Sequence, residues 1–304
     1  MDLLSDIKDF MLTEAVSGYE KKMSRKLKAR FEEYADEVIV DRAGNTMAKF
    51  QGTDSAAPRV MIFAHMDQLG FIVRKIEASG LIQIDRLGGI PEKVLPALNV
   101  SVSTIDGDYI PGIIGNKAHH ATSADEKYKV DVVTSLFVDI GAKSRSEVLA
   151  AGIHIGCPVC YKPSFTALLG SLVSKATVYL VGTVWEEFNI RGAVFAARRI
   201  KPDFAICIDV ALSGDTPDLS SRYDIGLSKG PTVTLYNFHG RGTLNGTLAH
   251  NGLYKHALRC AKDAGINLQE FASLGMLTDN AYVQMEGEYI ACLDMGFPAR
   301  YTHS

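Results

Sequence analysis

An apolar run that ends on two adjacent carboxylates constrains this chain more than any other stretch. Val178 to Val184 is apolar on both faces and lacks the alternation of a half-solvated strand, which predicts a strand buried in a parallel sheet. Glu186 and Glu187 then stand at its carboxyl end. Ligands of open α/β sheets collect at that edge. Two neighbouring side chains there can divide the work, one holding a metal and the other moving a proton. A solvated Glu-Glu pair at a strand exit is the plainer alternative, and the rest of the chain has to decide between them.

Upstream, the spacing of apolar residues predicts helices over 3–13 and 19–34, with Ser17 as N-cap of the second. Val38–Val40, a turn through Asp41-Arg-Ala-Gly-Asn45 and Thr46–Phe50 read as two strands joined by a hairpin. Arg59–His65 is a strongly apolar strand whose closing histidine is followed by Asp67, a carboxylate placed to orient an imidazole. A core histidine capping a strand explains a single His-x-Asp equally well. Residues 70–163 change texture: short strand-like runs alternate with Gly, Pro and Asp turns, and only Arg145–Ala151 reads as helix. Because the α/β pattern resumes afterwards, this is an inserted β-rich domain rather than a tandem one. Within it, His119-His120 reads as polar loop residues slightly better than as ligands.

Downstream, Arg191–Ile200 is amphipathic, and Phe204–Val210 is a buried strand carrying Asp209 near its end. A helix over Leu248–Gly265, strands at Asn267–Ala272 and Ile290–Met295, and a short helical piece at Tyr282–Met285 complete the pattern.

Composition removes several classes of function. With 304 residues, 47% of them hydrophobic, and a net charge of −3, the chain is an ordinary globular one. It has no basic cluster of the kind that binds nucleic acid or a membrane surface. The opening Met1-Asp-Leu-Leu-Ser-Asp-Ile-Lys8 does not read as a secretory leader, and no apolar stretch approaches ~18 residues, so a cytoplasmic location is expected. Five cysteines in such a chain are expected to be reduced. Cys157 and Cys160 have redox or zinc spacing, but without a second pair they read as packing.

Four of the strand-end residues form a set. His65, Glu187, Asp209 and His303 are two imidazoles and two carboxylates, a borderline-hard donor group suited to zinc, cobalt or manganese. Glu186 is left over as a carboxylate able to take a proton from activated water and pass it to a leaving amine, the requirement for hydrolysing an amide.

The pieces Ala64-His-Met-Asp67-Gln-Leu-Gly70-Phe, Lys117-Ala-His-His120, Phe137-Val-Asp-Ile-Gly141-Ala, Thr183-Val-Trp-Glu-Glu187 with Arg191-Gly-Ala, Ile208-Asp209-Val with Gly214-Asp-Thr-Pro217, Thr278-Asp279 and Arg300-Tyr-Thr-His303-Ser occur in this order. In them the sequence resembles the M42 glutamyl aminopeptidases, also called deblocking or tetrahedral aminopeptidases. The resemblance implies an α/β fold with a zinc-peptidase-like mixed sheet flanked by helices and an inserted β-barrel-like domain. Residues 1–69 and 164–304 would form the catalytic domain and 70–163 the dimerisation domain. It further implies peptide substrates, two divalent metal ions, and a homo-oligomer built from dimers, often dodecameric. Carried over, His65 and Asp209 would bind one ion, Glu187 and His303 the other, Glu186 would be general base, and Asp67 would orient His65.

The sequence departs from that family at one place. The family's metal-bridging Asp precedes the Glu-Glu strand, yet Thr166 to Trp185 contains no Asp. The same stretch looks short on physical grounds, because a βαβ crossover takes at least ~10–12 residues and 164–177 must also leave the inserted domain. Either residues are missing from the sequence at this point, which the intact remaining motifs favour, or the protein lacks them and is a catalytically impaired homologue acting through assembly or peptide binding. A third reading, a glycosidase using Glu186 and Asp209, gives His65 and His303 nothing to do.

Overall fold

The structure, a computed structural model, describes residues 3–54, 57–118, 121–123, 125–126, 128–164, 179–239 and 245–303. In chain order the elements begin with α1 (Leu3–Met11), α2 (Lys21–Phe31), β1 (Glu37–Val40), β2 (Thr46–Lys49) and β3 (Val60–His65). Then come β4 (Gly70–Ile76), β5 (Ile82–Leu87), β6 (Asn99–Ser103), β7 (Tyr109–Gly115), β8 (Phe137–Asp139), α3 (Arg145–Ala150) and β9 (Pro158–Tyr161). The last part holds β10 (Tyr179–Thr183), α4 (Gly192–Ile200), β11 (Phe204–Leu212), β12 (Thr232–His239), β13 (Asn245–Leu248), α5 (Asn251–Asp263), β14 (Gln269–Leu274), α6 (Asn280–Val283) and β15 (Ala291–Ala299). They fall into two compact units: Met1–Met23 with Asp67–Thr166 and His303–Ser304, and Ser24–Met66 with Ala167–Thr302. Among the described residues, no helix is long and apolar enough to cross a membrane.

The first unit is built on a closed antiparallel barrel, in the order β4-β5-β8-β7-β6-β9. Its strands alternate, as a two-residue period requires: Phe71 and Val73, Ile82 and Ile84, and Val100 and Val102 all point into one buried core. Closure leaves no unpaired edge. Cys157 and Cys160 are both buried in this unit as packing residues, the former accepting a hydrogen bond on Sγ from the His154 amide. Gly70 opens β4 where the chain passes Val16, and a Cβ there would lie 2.2 Å from that side chain.

Among the described residues the second unit is a nine-stranded sheet in the order β1-β2-β10-β3-β11-β15-β12-β13, with β14 paired to β12. Its centre, β10-β3-β11-β15, is parallel. Beside it α4 presents Ala193, Ala196 and Ala197, small side chains that let a helix lie close on Met61, Phe63 and Val181.

Several expectations shift. The strand expected at 178–184 is β10, but it is parallel only to β3; on its other side it pairs antiparallel with β2, and Leu180 is 41% exposed. An apolar run does not distinguish those two neighbours. Asp209 lies inside β11, which continues to Leu212 because β15 runs alongside it for all nine residues. Ser17 is not a cap of α2, which starts at Lys21; its hydroxyl donates to Asp67. Helix α5 starts at Asn251 rather than Leu248, since Leu248 ends β13. Its C-terminus is the expected one, with Gly265 at φ 65° just past the Ala264 cap. His119, His120 and the segment 165–178, on which the question of the bridging Asp and the crossover turned, lie outside the described residues.

Candidate active site

The sheet register assembles the site. Parallel pairing sets Thr183 beside His65. On the other flank of β3 the ladder with β11 ends at Phe63 and Cys207, two residues short of His65 and Asp209. Asp209 in turn faces Gly296 on β15, where a Cβ would fall 1.8 Å from the Asp209 carbonyl oxygen. Thr183 and His65 are therefore paired neighbours, as are Asp209 and Gly296.

From Thr183 the chain enters a tight turn. Trp185, Asn189 and Ile190 all adopt left-handed backbone conformations, with φ of 59°, 75° and 52°. Such values are unfavourable for non-glycine residues, above all for β-branched isoleucine. The turn closes through Ile190 N–H to the Glu186 carbonyl and Gly192 N–H to the Val184 carbonyl, each 3.0 Å. It swings Glu186 and Glu187 onto His65: one donor atom from each of the three lies within 4.8 Å of the others.

Electrostatics follow from that crowding. Burial pushes the Glu186 carboxyl well above the ordinary carboxylate range; His65 opposes the shift, while the charges of Asp279, Asp209 and Glu187 add to it. Burial that disfavours the charged form makes this carboxylate a readier proton acceptor.

The second unit also holds buried polar groups that sequence reasoning did not identify. Asp279, almost fully buried, accepts a 2.7 Å hydrogen bond from the Thr183 hydroxyl. Asp294 accepts from Asn280 Nδ2 at 2.7 Å and Asn237 Nδ2 at 2.8 Å, and burial still pushes its carboxyl up to about 7. Asn45, in the β1–β2 turn, bonds to Val184 and Gly192. The sequence marks Asn45 as a turn residue and Asp279 as part of a short motif, but a long-range partner leaves no local periodicity.

The remaining expected site residues sit as follows. Asp209 Oδ1 accepts from the Val210 amide at 2.7 Å. Asp67 is in the barrel unit, buried, and accepts from the Ser17 hydroxyl at 2.6 Å. His303, also assigned to that unit, has Nδ1 2.8 Å from the Gly89 carbonyl; a proton on Nδ1 would leave Nε2 as the acceptor nitrogen. The structure thus gathers His65, Glu186 and Glu187, and the charge of Asp209 acts on Glu186. One imidazole and two carboxylates at that spacing fit a divalent ion of the zinc, cobalt or manganese type.

Comparison with known proteins gives a consistent picture. A family model described as M42 glutamyl aminopeptidase matches residues 44–177 and 167–304. The chain is 38% identical to the putative aminopeptidase SgcX of Escherichia coli, over 95% of this chain and 84% of that one. It is 30% identical to the lysyl aminopeptidase of Pyrococcus furiosus, over 98% and 89%. Among solved structures it resembles the TET1 peptidase of Pyrococcus horikoshii, described as able to assemble into a tetrahedron or a large octahedral shell. That similarity has a TM-score of 0.81 at 25% identity and covers 99% of this chain and 92% of the other.

Proposed function

Since this chain belongs to the M42 glutamyl aminopeptidase family, we propose that it is a metal-dependent aminopeptidase that releases N-terminal residues from peptides with Glu186 as general base. The observation that carries this reading is the convergence of His65, Glu186 and Glu187 within 4.8 Å. In it, His65 and Glu187 are ligands of the divalent metal centre, and Asp209 joins His65 on one ion by the motif resemblance. When bound, the ion supplies polarisation of the scissile carbonyl and acidification of water. Glu186 does the rest: placed beside the ligands, it accepts a proton from the attacking water and returns it to the departing amine. The roles of His303 as a further ligand, of Asp67 as the group that orients His65, and of a second ion rest on the motif resemblance alone.

Assembly belongs to the same reading. The barrel unit carries exposed apolar side chains at Ile113, Val130 and Val132, and a homo-oligomer formed through residues 70–163 would cover them. The P. horikoshii relative's shell is the precedent.

A panel of aminoacyl-p-nitroanilides, with lysyl and glutamyl members, tests the proposal. Release abolished by chelator and restored by Zn²⁺ or Co²⁺ is the expected outcome. Absence of turnover in a protein that still assembles would favour the impaired homologue, which the lack of an Asp between Thr166 and Trp185 recommends as the second reading. Chelator-resistant hydrolysis of a β-glucan would favour the carboxylate pair of a glycosidase.

A further inference from the structure

The turn carrying Glu186 and Glu187 is held at both ends by one side chain from elsewhere in the sheet. Asn45 Oδ1 accepts from the Val184 amide at 3.1 Å, and Asn45 Nδ2 donates to the Gly192 carbonyl at 3.0 Å. Val184 is the last residue before the turn and Gly192 the first of α4, so the amide spans its base. The fit is close: a Cβ on residue 192 would lie 2.7 Å from Asn45 Oδ1.

Asn45 is fully buried, and its orientation is imposed. Its Nδ2 also donates to Asp41 Oδ2 at 2.8 Å, which fixes the nitrogen end of the amide toward Gly192 and the oxygen end toward Val184. Asp41 is held in turn by the backbone amides of Ala43, Gly44 and Asn45, which all donate to its Oδ1. The chemistry demands an amide, because one end must accept and the other donate. Aspartate would set an oxygen against the Gly192 carbonyl.

Between the two anchors lie the three left-handed residues Trp185, Asn189 and Ile190. Strain of this kind persists where the surroundings over-determine it, and it collects at functional sites. We propose that Asn45, oriented by Asp41, is a positioning residue for the carboxylate pair: its amide holds the ends of the strained turn at the spacing that brings Glu186 and Glu187 to His65. The inference rests on the reading that these side chains serve a divalent ion, and it adds a role for the β1–β2 turn.

Two variants of the full chain test it, Asn45→Ala and Asp41→Asn. The second is nearly isosteric and only partly buried, so it keeps the proposal testable should the first fail to fold; with its one oxygen retained by the three backbone amides, its new amide nitrogen would face Asn45 Nδ2 and remove the bond that orients Asn45. Co²⁺ affinity by calorimetry and the visible Co²⁺ spectrum are read alongside the melting temperature of the metal-free protein, kcat and KM. Expected is about a tenfold to hundredfold loss of Co²⁺ affinity, the range for residues that support metal ligands, with an altered visible spectrum and a fall in kcat larger than the change in KM. A merely structural staple would lower the melting temperature and leave affinity and spectrum at wild-type values at 25 °C. That result in folded Asp41→Asn, or no Co²⁺ binding by the wild type, overturns the proposal. Weakened Co²⁺ binding in variants of a wild type without peptidase activity would uphold the positioning role and reject the function proposed for the chain.

Discussion

At the scale of single residues, Glu186 and Glu187 look interchangeable in the sequence, and the structure gives them one environment with two expected tasks. Glu186→Gln should bind Co²⁺ within about threefold of wild type yet lose at least about a hundredfold in kcat, the size of a general-base contribution. Metal content by mass spectrometry with steady-state rates checks it, and a variant of near-normal rate would remove Glu186 from the mechanism. Asp294 yields a prediction in pH. Its carboxyl is pushed up to about 7 in the folded protein, by burial first, against an unfolded value near 4. The folded state therefore binds the extra proton between those values, and its stability declines as pH rises from about 4 to about 7. In metal-free protein, Asp294→Asn should flatten that slope in urea titrations at several pH values. Asn237 and Asn280, the partners of Asp294, had no local signature, since a buried amide in a distant segment looks like any loop polar residue.

At the scale of elements, apolar periodicity made β3, α4, the C-terminal end of α5 and the strand-rich texture of 70–163 legible. It failed where polar residues are buried. β12 was not anticipated because Thr232 and Asn237 point inward, Asn237 bridging Asp294 and the Thr247 amide, which blurs the alternation. Leu248 misled in the opposite sense: it belongs to β13 and is 66% exposed. Close backbone approach was equally invisible. Gly296→Ala would force β11 and β15 apart at Asp209, because the new methyl would sit 1.8 Å from a backbone oxygen that cannot retreat without breaking the ladder. A loss of about 1–3 kcal/mol or more is expected, in line with overpacking, measured by urea unfolding of the metal-free protein. An unchanged midpoint would mean that the two strands separate freely.

At the scale of the whole chain, the order of the motifs was legible from end to end, and the family match bears it out. Its two segments overlap at 167–177, within the stretch where the sequence has no Asp to bridge two ions. No pattern in the sequence, however, specified which strands of the inserted stretch would close on one another. If the barrel unit mediates assembly, Val132→Asp, at a side chain 58% exposed, should lower the particle mass measured by light scattering while the melting temperature stays within a few degrees. An unchanged mass would clear that surface of the role.

The barrel's first and last strands are direct hydrogen-bonded neighbours, with Gly70 opposite Cys160. Paired residues of an antiparallel ladder sit about 5 Å apart, so everything from 70 to 160 leaves and rejoins the polypeptide at almost one point. Adjoining ends alone do not make the stretch portable: the compact unit also takes in Met1–Met23, and cutting at 70 and 160 would strip Val16 from Leu87 and Cys160.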